Sequence, residues 1–535
     1  MKWSSTLILA ALALAVGAAP GTRDASSSSG LTVSTKQGDV VGSLVSSQVR
    51  RWLGIPYAIG NRWEPPQPAP TRQSPLQANK FGDTCIQQIP PSLEWFQKFI
   101  GLFDDVTESE DCLYINIWSP AVNRKQKTAV LIWIYGGSYE TGTSSSAIYN
   151  GQPFVENNDD ITIVSFNYRL NIFGQPNAPQ LVAPGNATNF GLLDRDFAIK
   201  WVYDNIAAFG GDPERITLFG QSAGGASVDT YAFAYPNDTM VKGLIEQSGS
   251  APLLVGYPPY STVFGVNAWN NVSNAVGCGI DTTPDQLTCM KRVPFRQLEN
   301  AVLTTGAQFQ VTIDNITTFA DIPARGTAGN FLRVPLLTGN TAQEMDIFRA
   351  GTDLGYPGLL VPIADEITYG IDTQLGFTCL SGASATNWMT AGVPVWRYQY
   401  QGVFPDLTVI PGLRAYHTSD IPIVFGTYDG PSFPGKSTPN EVALSKYMQK
   451  AWVEFARDPV HGLSNYGWPQ YQPYTQSLVQ LGNVLNQTGF VLAKGAIGDI
   501  TCTDAEAGTL LLEILEGALW IQGIANAAGQ NSTAR

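Results

Sequence analysis

Histidine is nearly missing from this chain: only His417 and His461 occur in 535 residues. Charge is sparse too, at 14% of residues, where about 25% is usual for a soluble domain. Its sign is lopsided, 31 basic against 44 acidic side chains for a net −13, with no basic run. Nucleic-acid binding needs clustered Lys and Arg to neutralise phosphates, so that class of partner is excluded. There is no Cys-x-x-Cys and no Cys/His cluster, hence no structural zinc site and no metal to expect. Beyond the first twenty residues no apolar run can span a bilayer. The most apolar late stretch, Leu510–Ile521, is broken by Glu513 and Glu516 and reads as a packed helix. What the chain does have is 44% hydrophobic residues, 11% of the total aromatic. That excludes disorder and supplies a large core.

Residues 1–19 read as a secretory signal peptide: Lys2, then the apolar Leu7–Val16, then the small Gly17-Ala18-Ala19. Residues 20–30 are a flexible, Ser-rich leader. Six sequons, at Asn186, Asn237, Asn271, Asn315, Asn486 and Asn531, are N-glycosylation candidates. Six cysteines form an even set suited to an oxidising compartment, and fifteen pairings are open. Cys278 and Cys289 are near enough to close a local loop. The expectation is a secreted, extracellular glycoprotein with no integral membrane anchor.

Length alone suggests three or four domains. Leu31–Val45 alternates apolar and polar residues around Gly38-Asp39, a hairpin pattern. From about residue 128 short apolar runs recur: Ala129–Tyr135, Ile161–Phe166, Ile216–Phe219 and Val334–Leu337. Leu193, Phe197 and Trp201 between them share one helical face. Runs buried on both faces and separated by helices predict an α/β fold with a mainly parallel central sheet. Without repeats or a linker after residue 30, one domain over 31–535 is preferred.

Gly220-Gln221-Ser222-Ala223-Gly224 fits Gly-x-Ser-x-Gly, directly after a predicted strand and before a small-residue stretch able to start a helix. That setting predicts a nucleophile elbow with Ser222 at its tip. A serine hydroxyl needs a base. His461 sits in a turn-rich loop, where a solvated side chain is the plain reading; His417 precedes an apolar run and is the chosen base. Glu344, following a buried strand, is the candidate acid, with Asp346 as fallback. Tyr135-Gly136-Gly137-Ser138-Tyr139 ends a strand with a backbone free to approach an oxyanion.

These segments together resemble the type-B carboxylesterase/lipase family, which includes cholinesterases and secreted fungal lipases. Further marks are Gly54-Ile55-Pro56-Tyr57-Ala58, Glu110-Asp111-Cys112-Leu113-Tyr114-Ile115-Asn116, Asn189-Phe190-Gly191-Leu192-Leu193-Asp194 and Phe209-Gly210-Gly211-Asp212-Pro213. The similarity spans roughly Leu31–Cys502. It implies an α/β-hydrolase fold, a Ser222/Glu344/His417 triad, and oxyanion donors at Gly137, Ser138 and Ala223. It also implies disulfides Cys85–Cys112 and Cys278–Cys289, leaving Cys379–Cys502, and scaffold ion pairs Arg62–Glu110 and Arg169–Asp194. Three positions depart from the family pattern. Gln221 replaces the usual acid before the serine, Ser138 replaces a third glycine, and Leu102 stands where cholinesterases hold choline on tryptophan.

Between Cys85 and Cys112, Phe96, Phe99, Ile100 and Phe103 share a helical face within Ser92–Phe103. In lipase-like relatives this loop is a lid, so apolar surface for a lipid-like or bulky aromatic ester is one expectation and a helix packed on the body the other. Gly430–Ser437 matches the phosphate-loop pattern Gly-x4-Gly-Lys-Ser. Pro431 and Pro434 carry no N–H for a phosphate, so nucleotide binding is excluded. The sequence predicts a serine carboxylic-ester hydrolase without cofactor, acting on a small-molecule or lipid-like ester. A feruloyl-type esterase and a non-catalytic adhesion relative are the alternatives.

Overall fold

A computed structural model describes residues 30–87, 89, 107–122, 126–251, 262–353, 366–408, 412–430, 433, 435–499 and 502. The signal segment, most of the leader, the apolar face within Ser92–Phe103, Leu102, Leu510–Ile521 and Asn531 lie outside these residues.

The central sheet has eleven strands: β1 Ser43–Leu44, β2 Val49–Pro56, β3 Tyr114–Pro120, β4 Thr128–Ile134, β5 Ile161–Phe166, β6 Gly211–Gln221, β7 Val241–Gln247, β8 Leu336–Thr341, β9 Val395–Tyr400, β10 Gln476–Asn483 and β11 Asn486–Lys494. Their spatial order is β11-β10-β9-β8-β7-β6-β4-β5-β3-β2-β1. The block from β10 to β5 is parallel throughout, and the outer strands on both sides pair antiparallel. Every residue of β4 and β5 is buried, as expected of parallel strands covered on both faces. Helices α1 Phe190–Asn205, α2 Ala223–Ala234, α3 Cys379–Thr390 and α4 Pro439–Arg457 accompany the sheet; α2 packs on β6 and β7, and α3 on β8 and β9. Thr438 and Glu441 start α4 with a reciprocal capping box. Trp133, Phe219 and Phe425 meet within 6 Å, a ring cluster under the serine turn's own strand.

Several boundaries differ from the sequence reading; β6, for one, begins at Gly211 rather than Ile216. The hairpin turns at Lys36-Gln37 rather than at Gly38-Asp39, pairing Thr35 with Gly38. Thr35 Oγ1 accepts the Gln37 N–H at 3.2 Å, which sets the turn early. The fourth apolar run was placed over Val334–Leu337, but β8 starts at Leu336 and continues through Thr338, Gly339, Asn340 and Thr341. Two of these buried polar side chains are satisfied: Thr338 contacts Glu246 and Ser381, and Asn340 donates to Thr378 and the Thr341 carbonyl, whereas the Thr341 hydroxyl has no hydrogen-bond partner among the described residues. Hydrophobicity alone stops short of that end.

The cysteines join as Cys85–Cys112, Cys278–Cys289 and Cys379–Cys502. Arg62 grips Glu110 with two hydrogen bonds of 2.7 and 2.5 Å, and Arg169 grips Asp194 with two of 2.7 Å. Arg169 also donates to the carbonyls of Asn61 and Glu64, tying the N-terminal segment to α1. Among the described residues no helix is long and apolar enough to cross a membrane.

Candidate active site

Strand β6 ends at Gln221 and α2 begins at Ala223, leaving Ser222 alone on the turn with φ 58° and ψ −126°. A side chain on Gly224 would stand 2.0 Å from the Ile134 carbonyl oxygen, so the strand-to-helix turn closes this tightly only with glycine there. A non-glycine residue held at positive φ is a strained one, and here the strain points its side chain out of the turn. The Ser222 N–H donates to the Gln247 carbonyl at 2.9 Å, anchoring the turn to β7.

Glu344 follows the end of β8 by three residues and is fully buried. Its Oε1 accepts the Thr341 N–H at 2.6 Å, and its Oε2 lies 2.5 Å from His417 Nδ1. The segment holding His417 is laced to this one by backbone, with Gln343 N–H on the Ala415 carbonyl and His417 N–H on the Glu344 carbonyl. The rings of Phe377 and Phe348 flank the imidazole at 5.0 and 6.0 Å. Its Nε2 is 3.0 Å from the Gln221 side-chain nitrogen, on the residue next to Ser222. Glu344 and His417 therefore meet directly, and the ring reaches the residue next to Ser222, where β6 and β8 end.

The competing residues are occupied elsewhere. Asp346 makes a two-pronged ion pair with Arg414, 2.7 and 2.8 Å, and accepts the Arg414 N–H. His461 has a side chain 70% exposed with Asp458 at 3.4 Å, the solvated loop histidine its surroundings suggested.

The turn after β4 runs through three consecutive positive-φ residues, Gly137 at 110°, Ser138 at 57° and Tyr139 at 60°. The Gly137 carbonyl accepts the N–H groups of Glu140 and Thr141, folding the loop back on itself. Among the described residues no hydrogen bond engages the N–H of Gly137 or Ser138, and Ala223, first in its helix, has no intrahelical acceptor. Gly137 is half-buried and Ser138 exposed, and a Cβ on Gly136 would stand 2.8 Å from that of Ser222.

Sequence reasoning missed one carboxyl here. Asp420, fully buried three residues beyond His417, accepts from Gln247 Nε2 at 2.8 Å. Burial pushes it up to about 6; the Glu344 carboxylate adds to the rise, while the Gln247 hydrogen bond and His417 oppose it. The i, i+3 spacing from His417 was the available signal. Two more buried carboxyls, Asp229 on α2 and Glu246 on β7, lie behind the serine turn, both raised chiefly by burial, Asp229 to about 7. Among the described residues no group of three or more His, Cys, Asp or Glu could hold a metal ion. Gly430 opens the phosphate-loop pattern, and its N–H is already given to the Thr427 carbonyl; Pro431, Ser432 and Pro434 lie outside the described residues. Asn186, Asn237, Asn271, Asn315 and Asn486 are all exposed.

A mostly parallel sheet with helices against it and a strained serine at a strand-to-helix turn define an α/β hydrolase. Residues 29–356 match the sequence model of the Carboxylesterase family, and the chain belongs to that family of carboxylic ester hydrolases. It is 34% identical to secreted lipase 5 of Gibberella zeae over 520 residues, covering 89% of this chain and 94% of the lipase. It is also 34% identical to a chlorogenic acid esterase of Aspergillus niger over 474 residues, 85% of this chain and 88% of that one. The acetylcholinesterase of Bungarus fasciatus is 29% identical over 517 residues, 84% of this chain and 82% of its own.

Proposed function

We propose that this protein is a secreted, extracellular esterase or lipase working through an acyl-enzyme on Ser222. The observation that carries this reading is the 2.5 Å contact of His417 with buried Glu344, set beside the residue that precedes Ser222. His417 Nε2 takes the hydroxyl proton as Ser222 Oγ attacks the ester carbonyl carbon. Glu344 holds the Nδ1–H and stabilises the imidazolium. The carbonyl oxygen, now negative, is met by the N–H groups of Gly137, Ser138 and Ala223. The imidazolium gives its proton to the leaving alkoxide, and the alcohol departs from the acyl-serine. Water, deprotonated by His417, attacks the acyl carbon; collapse of the second intermediate returns the serine proton and releases the acid. None of these steps calls for a cofactor.

One domain, 31–535, carries this chemistry, behind a signal peptide over 1–19 and a leader over 20–30. The disulfide loop 85–112 is its lid. The substrate is a lipid-like or aromatic acyl ester, a reading supported by relatives named as a lipase and a chlorogenic acid esterase. A fluorescent organophosphonate tests the nucleophile: it should label the protein once and stop turnover. Equal labelling of Ser222→Ala would overturn it. A panel of esters varying acyl length against aromatic acyl groups then tests the substrate class.

A further inference from the structure

Gln221 meets the nitrogen of His417 that faces away from Glu344. Its side-chain nitrogen is 3.0 Å from His417 Nε2, and both residues are buried. His417 Nδ1 is committed to Glu344 at 2.5 Å. A carboxylate accepts and cannot donate, so the proton of the neutral ring sits on Nδ1 and Nε2 presents a lone pair. The assignment of the Gln221 amide follows from this: its N–H₂, a donor, faces that lone pair. A neutral imidazole has a single such pair. Ser222 Oγ needs the same one for its proton to be taken, and among the described residues no hydrogen bond joins Ser222 to the His417 ring.

Among the described residues, two carboxyl groups are seen to act on the ring. Glu344 meets Nδ1, and Asp420 lies buried three residues along the chain, itself bonded to Gln247. The rings of Phe348 and Phe377 also stand against it. At Nε2 the neighbour carries no charge at all, only an amide dipole with its positive end toward the ring. Such a donor stabilises the uncharged imidazole and opposes the imidazolium; a carboxylate in its place would do the reverse.

We propose that Gln221 is a positioning residue for the base: its amide N–H holds His417 uncharged in the resting site and gives up the Nε2 lone pair to Ser222 when an ester binds. The proposal rests on the acyl-enzyme reading above. It goes further in assigning a role to the residue before the nucleophile and in giving the enzyme a working range that reaches to lower pH.

The test uses Gln221→Met, which keeps the length and removes the donor, and Gln221→Glu, which puts a carboxylate at Nε2. The acid limb of the kcat/KM profile should lie lowest in the parent, higher in Gln221→Met, and about one pH unit above the parent in Gln221→Glu. With only two histidines, carbon-13 labelled histidine gives two ring signals, and His417→Ala assigns them. The His417 signal should titrate in the same order while that of His461 stays put. Coincident acid limbs in the parent and Gln221→Glu, or the reverse order, would overturn the proposal. If the ring signals keep this order but Ser222→Ala still turns over ester, the acyl-enzyme reading fails while the Gln221 contact stands. A variant that melts early is read by the ring signals of its folded fraction, so the order is still measured.

Discussion

His417 and Glu344 are joined twice: side chain to side chain at 2.5 Å and His417 N–H to Glu344 carbonyl at 3.2 Å. Two bonds between the same residues fix both the plane of the ring and its tautomer. Glu344→Gln keeps the shape and loses the charge, and its amide favours the wrong tautomer. The expected result is a fall in kcat of roughly 10³- to 10⁴-fold with KM little changed. His417→Ala should abolish turnover, and His461→Ala should leave it intact. Steady-state kinetics on a soluble chromogenic ester check all three; full activity in Glu344→Gln would remove Glu344 from the triad.

Asp420 makes stability depend on pH. Its carboxyl is raised to about 6 in the folded protein, above an unfolded value of about 4. The unfolded chain therefore loses this proton first as pH rises. No penalty exists below about pH 4; it grows between about 4 and 6 and stays in full above. Two pH units correspond to about 3 kcal/mol. Asp229 and Glu140, each raised to about 7 by burial, act with the same sign. Melting curves should show the parent more stable near pH 5 than at pH 8. Asp420→Asn should gain several degrees on the parent at pH 8 and little at pH 4.5. An equal effect at both values would mean that packing, and not ionisation, is what Asp420 contributes.

The parts of this molecule legible in sequence are those written in local chemistry. The buried strands showed as apolar runs, the serine turn as its glycines, and α1 as the spacing of Leu193, Phe197 and Trp201, which fall within Phe190–Asn205. With two histidines, the base was close to assigned by elimination. What stayed hidden depends on contacts between distant segments. Glu344 is preferred to Asp346 in sequence without its partners being visible; the fold shows that Arg414 claims Asp346 and His417 claims Glu344. Thr338 to Thr341 do not read as strand, because the burial of Thr338 and Asn340 is made tolerable by Glu246, Ser381 and Thr378. Gln221 read as a loss of charge beside the serine. Only the fold shows that its amide meets the base.

The disulfide Cys379–Cys502 spans 123 residues, against 11 for Cys278–Cys289. In the chain-entropy account a closed loop of that length is worth about 5 kcal/mol and the short one about 3 kcal/mol. The long bridge also fastens the segment where Asp499 meets Arg397 under β9. Replacing both cysteines of the pair by serine should lower Tm clearly more for 379/502 than for 278/289. Catalytic parameters at 20 °C should survive in both. Equal losses would place the stabilisation in local packing instead of loop closure.

Gly137 offers the sharpest separation of backbone strain from catalysis. Its φ is 110°, and a Cβ there would stand 2.2 Å from the Thr141 carbonyl oxygen, so Gly137→Ala must shift the loop that carries the proposed oxyanion donors. Gly467 has a similar φ of 103° but nothing within 4 Å of its would-be Cβ. Gly467→Ala therefore carries the conformational cost alone. Both variants should lose stability, by about 1 kcal/mol or more. Only Gly137→Ala should also lose kcat, by roughly 10²- to 10³-fold, the loss that follows when one oxyanion donor is removed. Melting curves and steady-state kinetics on the two variants decide the matter: a Gly137→Ala protein with the kcat of Gly467→Ala would take the oxyanion site away from this loop.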